Sequence, residues 1–207
     1  MKEWVSFFQG WTLTKTVMIQ HSYLNEILAN TSQNDCLLEI GAGSGFSSLA
    51  LMFSGRKYVV VSDFNTQVLE SIREIIPCLV TERIDMFNIA RLDDSVDCIY
   101  HQGLMEHFND DEIVCSLTEQ ARVANLVIFD VPNDKRWKKI QEYGNERFLS
   151  VRKWVELIEQ SNLRIVKITG RRLPKTFNYL PSFLQDSEWV KRVFGTSSTF
   201  VCRSVTR

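Results

Sequence analysis

Several things are scarce in this 207-residue chain, and each scarcity excludes a class. No run of about 18 apolar residues occurs, so no transmembrane helix is predicted. The first residues, Met1-Lys2-Glu3-Trp4-Val5-Ser6-Phe7-Phe8-Gln9-Gly10, hold no long apolar h-region and no cleavage pattern, so a cytoplasmic location is expected. The five cysteines are odd in number and scattered, without a C-x-x-C pair. Neither a disulfide framework nor a structural zinc is expected, and Cys36, Cys98 and Cys202 fall in apolar strand patterns as small core residues. Neither sign of charge is in excess: 24 Lys and Arg stand against 25 Asp and Glu, for a net charge of −1. Such a balance gives no field to draw nucleic acid or an anionic membrane. The local clusters Lys135-Arg136-Trp137-Lys138-Lys139 and Arg171-Arg172 read as solvated loop surface. There is no internal repeat and no low-complexity segment. A hydrophobic fraction of 44% and a charged fraction of 24% suit one sizeable soluble core.

What is present is an alternation of strand and helix patterns. Thr16 to Ala29 has helical spacing, and Cys36 to Gly41 is a buried-strand run. The next helix ends at Gly55, which suits the position after a helix C-cap. A second strand ends at Asp63, and a helix from Asn65 to Ile76 stops at Pro77. Strands near Leu79 to Arg83 and Val96 to Tyr100 follow, then a helix over Asp110 to Val123 with Asn109 as its N-cap. Asn125 to Val131 is almost continuously apolar, as a strand covered on both faces must be. A helix capped by Ser150 and strands over Arg164 to Thr169 and Ser198 to Val205 complete the pattern. The alternation predicts an α/β sandwich with a mostly parallel sheet.

The richest segment is Leu37-Leu38-Glu39-Ile40-Gly41-Ala42-Gly43-Ser44-Gly45-Phe46. A buried strand there breaks into a glycine loop that opens a helix, so a ligand can press against bare backbone. A dinucleotide site needs its third glycine one position later than Gly45, where this chain has Phe46. Glu39 sits two residues ahead of the first glycine, where a carboxylate repels a pyrophosphate and attracts an ammonium. An adenosine carrying an amino acid and no phosphate satisfies both facts, and S-adenosylmethionine is that ligand. Asp63 follows about 20 residues on, at the end of a β-branched run, where a carboxylate can accept from two vicinal ribose hydroxyls.

From about Gln20 to its C-terminus the sequence resembles the class I S-adenosylmethionine-dependent methyltransferases. Leu38-Glu39-Ile40-Gly41-Ala42-Gly43-Ser44-Gly45 is similar to their first motif, Asp63 to the second and Ile84-Asp85-Met86 to the segment that reaches the adenine amino group. Asp97 to Phe108 is similar to the fourth strand and the turn after it. The resemblance implies a Rossmann-like α/β fold: a seven-stranded, mostly parallel sheet with helices on both faces and an antiparallel last strand inserted between the fifth and sixth. It implies one methyltransferase domain over residues 1–207, acting as a monomer or homodimer on a small-molecule acceptor. The expected cofactor contacts are Glu39, Gly41, Ala42, Gly43, Asp63, Phe64, Asp85, Met86, His101 and Gln102. Phe64 and Met86 would sandwich the adenine, and His101 would offer backbone groups.

Leu104-Met105-Glu106-His107 is the catalytic candidate, with His107 as a general base or, equally, a structural helix-start residue. Relatives similar to the ubiquinone-pathway O-methyltransferases carry a glutamate where this chain has Gly103, so no metal site is expected. Residues 1–30 are expected to form an N-terminal helical cap, and residues 171–197 an aromatic insertion that covers the substrate. Two other readings stay open: a catalytically silent cofactor-binding or assembly module, and a methyltransferase acting on a macromolecule. The Asp/Asn-Pro-Pro-Tyr/Phe tetrad of amino-group methyltransferases is absent after the fourth strand, which disfavours nucleic acid as the acceptor.

Overall fold

The computed structural model describes residues 12–134, 145–171, 181, 187, 190–191 and 195–205. Helix α1 (Leu13–Asn30) precedes β1 (Cys36–Ile40), α2 (Phe46–Phe53), β2 (Tyr58–Asp63), α3 (Thr66–Ile75) and β3 (Val80–Arg83). Then come β4 (Val96–Gln102), a 3-10 turn (Met105–His107), α4 (Asp110–Val123), β5 (Ala124–Pro132), α5 (Val151–Glu159), β6 (Leu163–Arg171) and β7 (Ser197–Ser204). The seven strands form one sheet in the order β3-β2-β1-β4-β5-β7-β6. The first five pair in parallel, and β7 runs antiparallel to both β5 and β6. This is the expected sheet, with its last strand between the fifth and sixth.

Alternation along β1 assigns the two faces. Leu38 and Ile40 join the core built with Ile113, Leu117 and Ala121 of α4 and Trp154, Leu157 and Ile158 of α5. Leu37 faces the other way, onto Tyr23, Leu24 and Ile27 of α1 and Ala50 and Leu51 of α2. Burial of this kind stabilises by about 25 cal/mol per Å² of apolar surface, so both faces need covering, and helices cover both.

Local chemistry fixes the helix ends. Asn109 accepts from the Glu112 N–H at 3.0 Å while Glu112 Oε2 accepts from the Asn109 N–H at 2.8 Å, a complete capping box. Asn65 and Ser150 cap α3 and α5. Gly55, at φ 91, closes α2: its N–H bonds Met52 O and the next N–H, of Arg56, bonds Leu51 O. The Arg56 side chain then donates to Leu28 O at 2.7 Å and Thr31 O at 2.8 Å, tying the end of α1 to the end of α2.

The expected N-terminal cap divides. Helix α1 is a packed member of the helical layer, while residues 1–11 lie outside the described residues. Most of the 171–197 insertion also lies outside them. Its last residues are fixed beside the C-terminal end of β5: Asn133 Nδ2 donates to Gly195 O at 3.0 Å, and the Asn133 N–H to Thr196 O at 3.1 Å.

Candidate active site

The loop after β1 holds Gly41, Gly43 and Gly45 at φ 63, 54 and 71. Side-chain-bearing residues rarely adopt these angles. At Gly41 space is limiting as well, because a Cβ there would come within 2.9 Å of a Leu104 methyl. The loop therefore sits against the turn that follows β4, and both lie at the carboxyl ends of parallel strands, where open α/β sheets bind ligands. Gly45 caps α2, and Ala42, buried within the loop, donates its N–H to Ser62 O at 3.0 Å.

Two carboxylates flank the loop. Asp63 Oδ2 accepts from the Gly43 N–H at 3.5 Å and Oδ1 from the Asn65 N–H at 2.9 Å. Burial raises its pKa, opposed by the N–H groups of Asn65, Gly43 and Phe64. Glu39 is buried beneath the loop. Ser48 Oγ donates to its Oε2 at 2.5 Å and stands 2.6 Å from the Tyr100 hydroxyl. Ser47 Oγ donates to Gln20 Oε1 at 2.7 Å, which joins α1 to the same cluster. Burial pushes the Glu39 carboxyl up to about 7; hydrogen bonds from Ser48 and Ser47 resist, and the negative charge of Asp63 adds to the rise.

The adenine residues are arranged less simply than expected. Phe64 is 60% exposed with the Arg83 guanidinium 4.5 Å from its ring centre. Met86 is buried in the core with Ile84, Ile89 and Met105. Its side chain packs inward because the turn at Asp85 aims it at the sheet, so the two do not form a sandwich here. Asp85 is exposed, and its Oδ1 accepts from the Phe87 N–H at 2.9 Å, a turn-capping role that leaves it at the surface beside Phe64's strand end.

Strand β4 runs two residues past the expected end at Tyr100. His101 is therefore inside the strand, fully buried and stacked on Phe129 at 5.2 Å between ring centres. Burial drives its pKa down to about 3, with the nearby Gln120 side chain opposing. The imidazole is a neutral core ring, and only its backbone can reach a ligand. Gln102 ends the strand, and its Nε2 donates to Asp130 Oδ1 at 3.3 Å. Asp130 is buried at the end of β5 and also accepts from Thr199 Oγ1 at 2.8 Å. Gly103, at φ 66, donates to Asp130 O at 3.0 Å, so the turn after β4 is tied to β5.

His107 closes that turn, half-buried, with Nδ1 2.8 Å from Asn145 Oδ1. An amide oxygen only accepts, so this contact needs a proton on Nδ1, and in the neutral ring the lone pair is then on Nε2. Arg147 braces the same turn. It donates to Phe108 O at 2.7 Å and to Asp110 Oδ1 at 2.6 Å, and Asp110 also pairs with Lys153. Lys153 and Arg147 hold the Asp110 pKa low. Arg147 is thus a structural clamp. Among the described residues no group of three or more His, Cys, Asp or Glu side chains converges to hold a metal ion.

Ser48, Tyr100 and Asp130 are site neighbours that sequence reading passed over. The signals were faint: a serine pair just inside α2, and one acid at the end of an otherwise apolar strand. Tyr100 had none, because it meets Glu39 only through the register of β1 on β4.

Residues 37–125 match the sequence profile of a family described as a methyltransferase domain. No curated protein matches the chain significantly. Among solved structures it is similar to the protein complexed with the Trm112 methyltransferase activator of Haloferax volcanii, with TM-score 0.74 and 16% identity over 99% of this chain and 98% of that one. A SAM-dependent methyltransferase from Methanosarcina mazei gives 0.65 and 15% over 88% and 98%. Geranyl diphosphate C-methyltransferase from Streptomyces coelicolor A3(2) gives 0.65 and 12% over 93% and 83%. At such identities the likeness is one of fold.

Proposed function

We propose that the chain is a class I S-adenosylmethionine-dependent methyltransferase that transfers a methyl group from S-adenosylmethionine to a small-molecule acceptor, a reading supported by the methyltransferase-domain profile over residues 37–125. One observation carries the reading: a loop of three positive-φ glycines flanked by two carboxylates, Glu39 behind it and Asp63 across it. That pair of acceptors fits an ammonium and a pair of ribose hydroxyls and is wrong for a pyrophosphate.

In this reading Glu39 accepts from the ammonium, and the backbone of Gly41, Ala42 and Gly43 borders the amino-acid part. Asp63 accepts from the ribose, and Phe64 and Asp85 border the adenine. The backbone of Met86, His101 and Gln102 completes the wall. Bound S-adenosylmethionine supplies a methyl carbon already activated by its sulfonium. The residues around it supply alignment and keep water out, which is the larger share of the rate. His107 is assigned to the acceptor side, where Nε2 would take the proton of a hydroxyl acceptor as the oxygen–methyl bond forms and the methyl–sulfur bond breaks, with S-adenosylhomocysteine leaving.

Calorimetry with S-adenosylhomocysteine and with NAD tests the cofactor assignment. Binding of the first and not the second is expected, and the opposite result ends the reading.

A second reading, assembly with an activator protein, has its own support in the likeness to the Haloferax protein complexed with Trm112. Here β3 lies at the end of the sheet, with Val80 63% exposed, and Tyr58, on the same face, is 58% exposed. Light scattering and melting of the purified chain with and without a Trm112-type protein decide it. A complex with a raised melting temperature supports assembly, and a stable chain that ignores the addition removes it.

A further inference from the structure

We propose that Ser48 and Tyr100 are positioning residues for cofactor recognition: they form a one-way hydroxyl relay that ends on Glu39 and fixes the carboxylate offered to the cofactor's ammonium. The proposal rests on the reading above, in which Glu39 takes that ammonium.

The direction of the relay follows from proton counting. An ionised carboxylate only accepts, so the 2.5 Å contact between Ser48 Oγ and Glu39 Oε2 uses the single serine proton. In the 2.6 Å contact between Ser48 and Tyr100 the serine must then accept and the phenol donate. Tyr100 therefore donates to Ser48, and Ser48 to Glu39. Hydroxyls aligned in one sense polarise each other and strengthen the last bond. All three side chains are buried, so water does not compete.

Three elements converge to build the relay. Glu39 and Tyr100 are direct partners across β1 and β4, and Ser48 reaches them from the first turn of α2, just past the glycine loop. The titratable groups around Glu39 are Tyr23 of α1, Tyr100 of β4 and Asp63 of β2, while α2 contributes only serines. Burial holds both phenols protonated, so this surround is neutral or negative. Support for the ionised carboxylate comes from the hydroxyls, and the ligand's ammonium adds the positive charge. Since Glu39 titrates near 7, a fraction of the chain carries a proton there before binding. That proton leaves for the buffer as the ammonium arrives.

The test is isothermal titration of the whole chain with S-adenosylhomocysteine from pH 5.5 to 8.5, in two buffers of different ionisation enthalpy. For the unaltered protein, affinity should rise through about pH 7, with protons released below that midpoint. Ser48→Ala should move the midpoint up by about one pH unit, the equivalent of losing one hydrogen bond to a charge, and Tyr100→Phe, which removes the bond that polarises Ser48, should move it in the same direction by less. Affinity should fall about tenfold on the acid side and change little on the alkaline side, and Ser48→Thr should restore the midpoint. If Ser48→Ala melts early, Tyr100→Phe carries the test, because it removes one oxygen and leaves the ring packed. A midpoint that stays put, with affinity unchanged or lowered equally at every pH, overturns the relay and leaves the cofactor reading standing. An unaltered chain that binds no S-adenosylhomocysteine at any pH overturns both.

Discussion

Asp63 and Gly43 meet across the ligand loop: the carboxylate at the end of β2 accepts the glycine N–H at a long 3.5 Å. The second strand thus holds the loop that follows the first, with a bond weak enough for a ribose hydroxyl to replace. Asp63→Ala should weaken S-adenosylhomocysteine binding by about 1.5–3 kcal/mol, the worth of hydrogen bonds to a charged group. Asp63→Asn, which keeps one acceptor oxygen, should fall between. Calorimetry at one pH, paired with a melting curve, measures both, and unchanged affinity in Asp63→Ala removes the ribose assignment.

Glu39 also sets a pH dependence of stability. Its carboxyl titrates at about 7 in the fold against 4.5 unperturbed, because burial penalises the charge. Between those values the folded chain holds a proton that the unfolded chain has released. The contribution is complete below about pH 4.5 and is lost as pH rises through about 7, amounting to about 3 kcal/mol. Glu39→Gln keeps the shape and never ionises. Urea unfolding of the ligand-free chain should show the variant gaining on the parent as pH climbs from 5 to 8. Parallel curves for the two would refute the burial argument.

His101 acts in the opposite sense. Its pKa falls to about 3 in the fold from 6.5, so the unfolded chain binds the extra proton between these values. Stability is complete above about 6.5 and is lost as pH falls through about 3. From about 4.5 to 6.5 the Glu39 and His101 slopes cancel; below that the His101 slope is no longer offset by Glu39, while Asp110, held low by Lys153 and Arg147, adds to it and Asp63, raised by burial, opposes it. His101→Leu should flatten the acid limb whatever it does to stability at neutral pH. The readout is the slope of the unfolding midpoint from pH 3 to 4.5, and an unaltered slope rejects the assignment.

Local signals were enough for much of this architecture. Asn109 with Glu112 three residues on bounds α4, Pro77 ends α3, and the glycine loop marks the exit of β1, all legible without tertiary contacts. What depended on register was not. Tyr100 meets Glu39 because the two pair directly across β1 and β4, a long-range fact that no window of sequence contains. Pairing with β5 carries β4 on to Gln102 and buries the His101 ring against Phe129, which no local window foretells. Met86 shows the converse: a residue next to an acid looked like a site residue, yet the turn at Asp85 buries it. The resemblance, and not periodicity, supplied the antiparallel β7.

The contact between His107 Nδ1 and Asn145 Oδ1 at 2.8 Å gives the catalytic question a sharp form. It selects the tautomer with its lone pair on Nε2, the form a general base needs. For a hydroxyl acceptor, whose proton must leave during attack, His107→Ala should slow single-turnover methyl transfer by about 10²–10⁴-fold. S-adenosylhomocysteine affinity should stay at the parent value, because the ring serves the acceptor. Asn145→Ala should cost about fivefold, the worth of one ordinary hydrogen bond that only orients the ring. Asn145→Asp separates a base from a bystander. A carboxylate beside Nδ1 stabilises positive charge on the ring, so the variant should change the methyl-transfer rate if the ring is the base and leave it unchanged if it is not. A panel of hydroxyl acceptors with labelled methyl donor gives these rates. If His107→Ala loses cofactor binding along with rate, the histidine holds the turn after β4 together. If it keeps both, methyl transfer runs on alignment alone.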